Sequence, residues 1–274
     1  MRRIIVSGLV VLVCVIGSYA MSAEKLHIEG STTVGPIADG FTEVFKDMYP
    51  DVVITVNKSG SGTGAAALVD SRCDIATMSR FMKPQEFKDA IAKGVFPVAH
   101  VVAMDGVCIV VHPSNPVSAL TSEQVRDIYL GKIKNWNQVG GPSAPIIAIS
   151  RDTSSGTYDT FEHFIMEGGK MDSSVEYVST NPQAFARVKN TRGAIGYVGF
   201  GFVQTGVKAV TLDGIKPSKQ TILTGKYPVS RPLFMFTNGY PKLGSMAHKF
   251  VTFHLTERGQ EVVEDKGFVP VTNY

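Results

Sequence analysis

Three short segments of the chain combine glycine with serine or threonine just before apolar residues at helical spacing. They read EGSTTVGP at positions 29–36, SGSGTG at 59–64 and SRDTSSGT at 150–157. A helix N-terminus exposes unpaired N–H groups and carries partial positive charge. Glycine lets an anion approach the backbone, and Ser or Thr adds uncharged donors. Together, the three helix starts predict a site that holds a small tetrahedral oxyanion.

Two arginines could supply charge to such a site. Arg151 stands just ahead of a predicted helix start, where its charge is unfavourable unless an anion compensates it. Arg80 follows the carboxyl end of a predicted strand, the edge at which open α/β sheets bind ligands. For Arg80 the alternative is a surface salt bridge. Taken singly, GSTTVGP also fits an ordinary helix cap, and SGSGTG a tight turn.

None of these segments has the pattern of a catalytic motif. A Walker A loop requires a lysine after the glycine spacing, and a nucleophile elbow around Ser61 requires glycine where Ser59 stands. The histidines show no metal-type pairing, and no Cys/His cluster suggests zinc. We therefore predict a binding protein and not an enzyme, with no metal and no cofactor. The alternative is a secreted phosphoryl-transfer or hydrolytic enzyme that uses the same anion cradle.

Short apolar runs alternate with helical patterns along the chain, as in LHIEG, VVITV and DIATM, each followed by an amphipathic segment. This rhythm predicts an α/β fold with mostly parallel strands and crossover helices. If the chain forms two lobes, we expect it to cross between them near residues 103–108 and again near 228–234.

The N-terminus predicts export. Residues 1–23 contain two arginines, an apolar run and then small residues, the pattern of a cleaved signal peptide. Without them, the 27 basic residues fall to 25 against 24 acidic ones, a net charge of +1, which argues against nucleic acid as a partner. The remaining cysteines, Cys73 and Cys108, lie in apolar surroundings that favour buried free thiols over a disulfide.

Five segments carry a resemblance to a known family over nearly the whole chain after residue 23. In chain order they are EGSTTVGPI, NKSGSGTGAAALVDSRCDIATMSR, YLGKIKNWNQVGG, SRDTSSGTYDTFEHF and TRGAIGYVGF. This ordered set resembles the phosphate-binding receptor subunit of bacterial phosphate ABC transporters. The resemblance implies a two-lobed type II periplasmic-binding-protein fold with two crossing strands. On that basis we expect lobe I at 24–104 plus 232–274, and lobe II at 105–231.

The resemblance also implies function, location and partners. It implies a periplasmic monomer that binds inorganic phosphate in an interlobe cleft and delivers it to a membrane permease. The residues of this chain that match the family's ligand positions are Ser31, Thr32, Thr33, Ser61, Gly62, Thr63, Ser79, Arg80, Arg151, Ser155, Gly156 and Thr157.

One departure from the family concerns specificity. Members of the family often place an acidic residue among the ligands to accept the phosphate proton, but the matching positions here are Ser79 and Thr153. Asp152 or a backbone carbonyl could take that role. Sulfate and molybdate therefore stay open as alternative ligands.

Overall fold

The computed structural model describes residues 24–272, so the predicted signal peptide at 1–23 lies outside the described residues. The strands are β1 Lys25–Gly30, β2 Val53–Lys58, β3 Ile75–Met78, β4 Pro97–Val111, β5 Ala119–Leu120, β6 Ile147–Arg151, β7 Glu176–Val178, β8 Ala194–Gly199, β9 Lys208–Ala209, β10 Thr211–Leu212 and β11 Ser230–Asn238. The helices are α1 Gly35–Met48, α2 Ser61–Val69, α3 Pro84–Ala92, α4 Ser122–Tyr129, α5 Gly156–Phe161, α6 Asn181–Lys189, α7 Lys219–Leu223, α8 Met246–Thr252 and α9 Glu257–Asp265. Short 3-10 segments lie at Trp136–Val139, Phe200–Phe202 and Phe253–Leu255, and a π-helical segment at Glu162–Met166 continues α5.

Most strands form one mixed sheet in the order β2-β1-β3-β11-β4-β8-β6-β7, with β9 paired to β4. Pairing is parallel among β2, β1 and β3 at one end, and among β8, β6 and β7 at the other. The pairs that join these two ends are antiparallel. The predicted α/β class is therefore confirmed, and its parallel character belongs to the two outer parts of the sheet.

Two long central strands connect the outer parts. Residues 97–106 of β4 pair with β11, whereas residues 107–111 pair with β8. The partner changes next to the register pair Asp105–Arg231. These two strands are the crossing strands of the fold.

Separate apolar cores pack on either side of this junction. On one side α1 places Phe41 and Phe45 edge-to-face against Phe250, with ring centroids 5.8 and 5.0 Å away. On the other side Phe161 stacks on Tyr197 at 4.0 Å. Each core packs the strands and helices on its own side of the junction.

Both cysteines in the described part of the chain, Cys73 and Cys108, are buried and unpaired, which confirms the prediction of free thiols. Burial raises the pKa of the Cys73 thiol to about 12, so this group stays protonated at neutral pH. No helix within residues 24–272 has the length and apolar character needed to cross a membrane.

Candidate functional site

The first predicted loop connects β1 to α1 and is buried throughout. Ser31 Oγ accepts the N–H groups of Thr33 and Val34 at 3.1 and 3.3 Å, so this side chain organises the loop itself. The hydroxyls of Thr32 and Thr33 contact donors that lie beyond β4, on lobe II. Of the three predicted ligands here, Thr32 and Thr33 therefore present side chains to the interface between the lobes.

The second loop turns sharply into α2. Gly60 has φ 113°, a conformation that favours glycine, and Ser61 directly after it is fully buried. Ser61 Oγ accepts the N–H of Ser79 at 3.0 Å and lies 3.3 Å from Ser79 Oγ. Thr63 differs, because its hydroxyl donates back to the Ser59 carbonyl at 3.2 Å. The structure thus brings Ser61 and Ser79 together and turns Thr63 away from them.

The third loop, before α5, comes from the other lobe and meets the first two. Ser155 caps α5 by accepting the N–H groups of Thr157 and Tyr158, each at 3.2 Å. Thr157 Oγ1 lies 3.1 Å from Thr33 Oγ1. A Cβ on Gly156 would collide with the hydroxyls of Ser61 and Ser79. The start of α5 therefore faces the starts of α1 and α2 at van der Waals distance.

A backbone hydrogen bond also joins the second and third loops. The Gly62 N–H donates to the Ser154 carbonyl at 2.9 Å, which joins α2 to the third loop. The first N–H groups of a helix have no partner inside the helix. The N–H groups of Gly62, Thr157 and Tyr158 have the partners given above. We call the region where these loops meet, at residues 31–33, 61, 79, 151 and 155–157, the anion pocket.

Arg151 is the charged group of the anion pocket. Its side chain is only 1% exposed, and its Nη2 donates to the Ser179 carbonyl at 2.6 Å and to Thr32 Oγ1 at 3.2 Å. Its Nε and Nη1 are buried and have no hydrogen-bond partner in the described part of the chain. Burial lowers the pKa of Arg151 to about 10, so the group is still a cation at neutral pH. A buried cation with two unused donors is a strong attractor for an anion.

Arg80 has different partners from those that the family resemblance implied. Its guanidinium donates to Asp159 Oδ2 at 2.6 Å and to both carboxylate oxygens of Glu86 at 2.7 and 2.8 Å. Burial lowers the pKa of Arg80, but the carboxylates outweigh that effect and leave the pKa above its usual value. Arg80 therefore forms ion pairs with carboxylates on α3 and α5, and its contact with an anion stays a prediction. The salt-bridge alternative fits this geometry, with a partner across the interface.

Two polar side chains of this region were missed by the sequence analysis. Asn181, the first residue of α6, is fully buried, and its Nδ2 donates to Thr32 Oγ1 at 3.2 Å and Thr33 Oγ1 at 2.8 Å. Arg231 on β11 donates to Thr157 Oγ1 at 3.0 Å and pairs with buried Asp105 at 2.8 Å. The only sequence signal for Arg231 was its position at a predicted crossing point, and Asn181 resembled an ordinary helix start.

Neither Asp152 nor Thr153 places a carboxylate in the anion pocket. Asp152 Oδ1 accepts both the N–H and the hydroxyl of Ser154, at 3.0 and 2.6 Å, and so closes its own turn. Thr153 is exposed. The pocket is therefore lined by N–H groups, hydroxyls and a guanidinium, a donor set that suits an oxyanion. Within residues 24–272 no cluster of three or more His, Cys, Asp or Glu side chains is arranged to hold a metal ion.

Known proteins share this architecture. Residues 18–258 match the model of the PBP superfamily domain. The phosphate-binding protein PstS of Bacillus subtilis is 32% identical over 251 residues, which cover 91% of this chain and 81% of the relative. PstS of Staphylococcus saprophyticus is 35% identical over 253 residues, covering 88% and 78% of the two chains.

Solved structures of phosphate receptors are also similar to this chain. A structure from Clostridium perfringens, described as a phosphate ABC transporter substrate-binding protein with bound phosphate, superposes with a TM-score of 0.83 at 32% identity, covering 91% of this chain and 100% of the other. An ABC-type phosphate transport receptor from Vibrio cholerae has a TM-score of 0.73 at 30% identity, covering 89% and 99%.

Proposed function

The chain belongs to the PBP superfamily, and on that premise we propose that it captures inorganic phosphate between its lobes for uptake by an ABC transporter. The observation that carries the proposal is Arg151, a buried guanidinium whose Nε and Nη1 are unpaired and which has no carboxylate partner among residues 24–272. Around it, loops from both lobes contribute hydroxyls and helix-start N–H groups. The relatives named above are described as phosphate-binding or phosphate-transport proteins.

The proposed ligands fall into two groups. Arg151, the hydroxyls of Thr32, Ser61, Ser79 and Thr157, and the N–H groups of the loops would contact the anion. Ser31 and Ser155 would organise the loops, because their hydroxyls already accept backbone N–H groups. Arg80 would help to hold the lobes closed through its ion pair with Asp159.

The strength of binding is consistent with these donors. A hydrogen bond to a charged group contributes roughly 1.5–3 kcal/mol, so about eight donors offer roughly 12–24 kcal/mol before costs. Micromolar affinity needs only about 8 kcal/mol net. The difference leaves room for ordering the loops and closing the lobes.

Selection of phosphate over sulfate requires an acceptor for the phosphate proton. Ser79 Oγ fits that role, because its only hydrogen-bond contact among the described residues is the Ser61 hydroxyl at 3.3 Å. A hydroxyl is a weaker discriminator than a carboxylate, since it can also donate to a fully ionised sulfate. We therefore expect phosphate to bind more tightly than sulfate, with a smaller margin than a carboxylate would give.

We propose a receptor and not a hydrolase. Ser155, the serine most similar in position to a nucleophile, has its hydroxyl oxygen occupied by two backbone N–H groups. Ser61 contacts another serine and no base. A nucleophilic serine needs a base within hydrogen-bond reach.

The proposed biological setting follows from the family. We propose that the chain is exported to the periplasm as a monomer and that a membrane permease receives the phosphate. The names of the relatives and the signal-like residues 1–23 support this setting.

A calorimetric titration with phosphate, followed by competition with sulfate and molybdate, tests the proposal. We expect Arg151→Ala and Thr32→Ala to weaken phosphate binding by about 100-fold or more without unfolding the protein. Arg187→Ala, which removes an arginine of the same lobe paired on the surface with Glu176, is the control and should bind normally. Unchanged affinity in Arg151→Ala, or preference for sulfate, would refute the proposal.

A further inference from the structure

A second cavity lies beside the anion pocket, where the segment after β3 meets α5 and the π-helical segment that continues it. Its volume is about 460 Å³. Phe81 and Phe234 line it from the side of β3 and β11, and Glu162 and Phe164 line it from the side of α5. Cavities of about 300–1,000 Å³ are of the size that holds small organic molecules. These four residues lie outside the anion pocket.

Two aromatic rings of this cavity keep much of their surface free. Phe81 is 57% exposed, although its ring packs edge-to-face on Phe234 and Phe236 with centroids 5.6 and 5.4 Å away. Phe164, on the other side, is 46% exposed. Large apolar groups that stay exposed around one cavity are typical of a surface that binds a partner or a ligand. The two rings therefore offer an apolar lining that a ligand can cover.

The π-helical segment Glu162–Met166 supplies the second side of the cavity. Such segments are rare and occur frequently at functional sites. Ile165 and Met166 are buried in the core of this side of the molecule, whereas Glu162 and Phe164 line the cavity. Residues two positions apart do not face each other on a regular α-helix. Here a carboxylate and a ring two positions apart nevertheless border the same space.

Most charges around the cavity cancel one another. Its three lining cations pair with three carboxylates, as Lys83 with Asp159, Arg80 with Glu86 and Asp159, and Arg231 with Asp105. Glu162 is partly buried, and its carboxylate has no hydrogen bond or salt bridge to any of residues 24–272. Counted with His163 neutral, the cavity therefore has one uncompensated charge, which is negative at neutral pH.

We propose that this cavity binds an organic cation with an aromatic or alkyl body, of the quaternary ammonium class. Phe81 and Phe164 cover the apolar body and attract the positive group through their rings, and Glu162 supplies the opposite charge. A quaternary ammonium group has no N–H donor, so it needs no hydrogen-bond acceptor beyond the carboxylate. We call these residues, with Phe234, the cation site. The inference goes beyond phosphate capture and does not depend on it.

Calorimetric titration with benzyltrimethylammonium tests the inference. We expect a Kd of about 1 mM or tighter. Benzyl alcohol and benzenesulfonate carry the same ring without the positive charge, and they should bind at least about tenfold more weakly. Equal affinity for the three probes would show that the charge of Glu162 selects nothing, and would overturn the inference. Absence of binding by all three would also overturn it and would favour a protein partner for this cavity.

Two variants and two matched controls locate the binding. Glu162→Gln and Phe164→Leu should each weaken binding of benzyltrimethylammonium by at least about fivefold. Glu167→Gln changes a carboxylate near the same segment that pairs with Arg126, and Phe96→Leu changes an exposed ring that does not line the cavity. Both controls should bind within about twofold of wild type. With thermal unfolding as a check on the fold, wild-type affinity in Glu162→Gln and Phe164→Leu would overturn the inference.

Phosphate distinguishes the cation site from the anion pocket. Arg231 lines the cavity and also donates to Thr157 of the anion pocket, so the two sites are neighbours. Saturating phosphate should leave the affinity for the cation unchanged or higher, because it holds together the loops whose helices border the cavity. Competitive displacement of the cation by phosphate would place it in the anion pocket and overturn the inference. The titration without phosphate tests the cation site whether or not the protein captures phosphate.

Discussion

The Arg151 side chain carries a charge that the ligand-free protein does not neutralise. Its pKa falls to about 10 because burial disfavours the cation. Below that pH the folded state is penalised by on the order of 3 kcal/mol, and the penalty fades as pH rises from about 10 towards the usual pKa of arginine. A bound anion would remove the penalty at neutral pH. The residue therefore favours ligand binding at the cost of the stability of the empty protein.

Arg151→Met should separate these two effects. We expect the ligand-free variant to be more stable than wild type by about 1–3 kcal/mol, because the buried charge is gone while two hydrogen bonds of Nη2 are lost. Phosphate should raise the thermal midpoint of wild type and leave that of the variant unchanged. Differential scanning calorimetry with and without phosphate measures both. A less stable variant that phosphate still stabilises would contradict this account.

Single residues also show which parts of the site could be recognised from the sequence alone. Arg151 could be singled out from the sequence, because an arginine just before a helix start lies next to unfavourable dipole charge. The contacts of Arg80 could not be predicted, since its partners Glu86 and Asp159 are 6 and 79 residues away and only the folded chain brings them together. Asn181 has the same limitation: a polar residue at a helix start is ordinary until its contacts are known.

At the scale of elements, the starts of α2 and α5 meet because glycine stands at their contact. A side chain at Gly156 would collide with the Ser61 and Ser79 hydroxyls, and the nearest atom to a Cβ on Gly62 would be the Ser154 carbonyl oxygen at 3.4 Å. Both positions lie in the first turn of a helix, where alanine is compatible with the backbone. The two positions differ mainly in the space available for an added methyl group.

This difference makes a matched pair of substitutions. Gly156→Ala should push α5 away from α2 and weaken phosphate binding by about 100-fold, because several donors lose contact at once. Gly62→Ala should change affinity by no more than about threefold. Titration, with circular dichroism as a check on folding, measures both. Equal affinities in the two variants would show that the contact at Gly156 does not control binding.

The helix starts were the elements best predicted from sequence, because Ser, Thr, Gly and Pro act through local backbone chemistry. Which hydroxyls face the ligand was harder to predict. Ser31 and Ser155 accept N–H groups of their own loops, and Thr63 turns back to Ser59. Helix capping and anion binding use the same residue types, so composition cannot separate them.

For the whole molecule, Asp105 and Arg231 join the two crossing strands at the junction between the cores. They face each other in register, and Arg231 continues to Thr157 on α5. Both side chains are almost fully buried. The α/β class could be predicted from the apolar periodicity of the chain, whereas the two crossing strands were implied by the family resemblance. The ion pair could not, since its partners are 126 residues apart.

Asp105→Asn should destabilise the protein by about 3–5 kcal/mol, because it leaves the Arg231 charge buried without a counter-charge. Asp105→Leu combined with Arg231→Met should recover most of that stability, since no buried charge is left unpaired. The double variant should still bind phosphate poorly, as Thr157 loses its N–H donor. Urea unfolding and phosphate titration test the two statements. A single variant as stable as wild type would contradict the first, and normal affinity in the double variant the second.

The Gly62 N–H donates to the Ser154 carbonyl, a hydrogen bond that exists only while the two loops touch. If the lobes separate as proposed, this amide loses its partner and exchanges in heavy water, whereas it is protected while the loops touch. The rate of deuterium uptake at the Gly62 amide therefore reports how often the two loops separate. The measurement needs no fluorescent label and no added ligand.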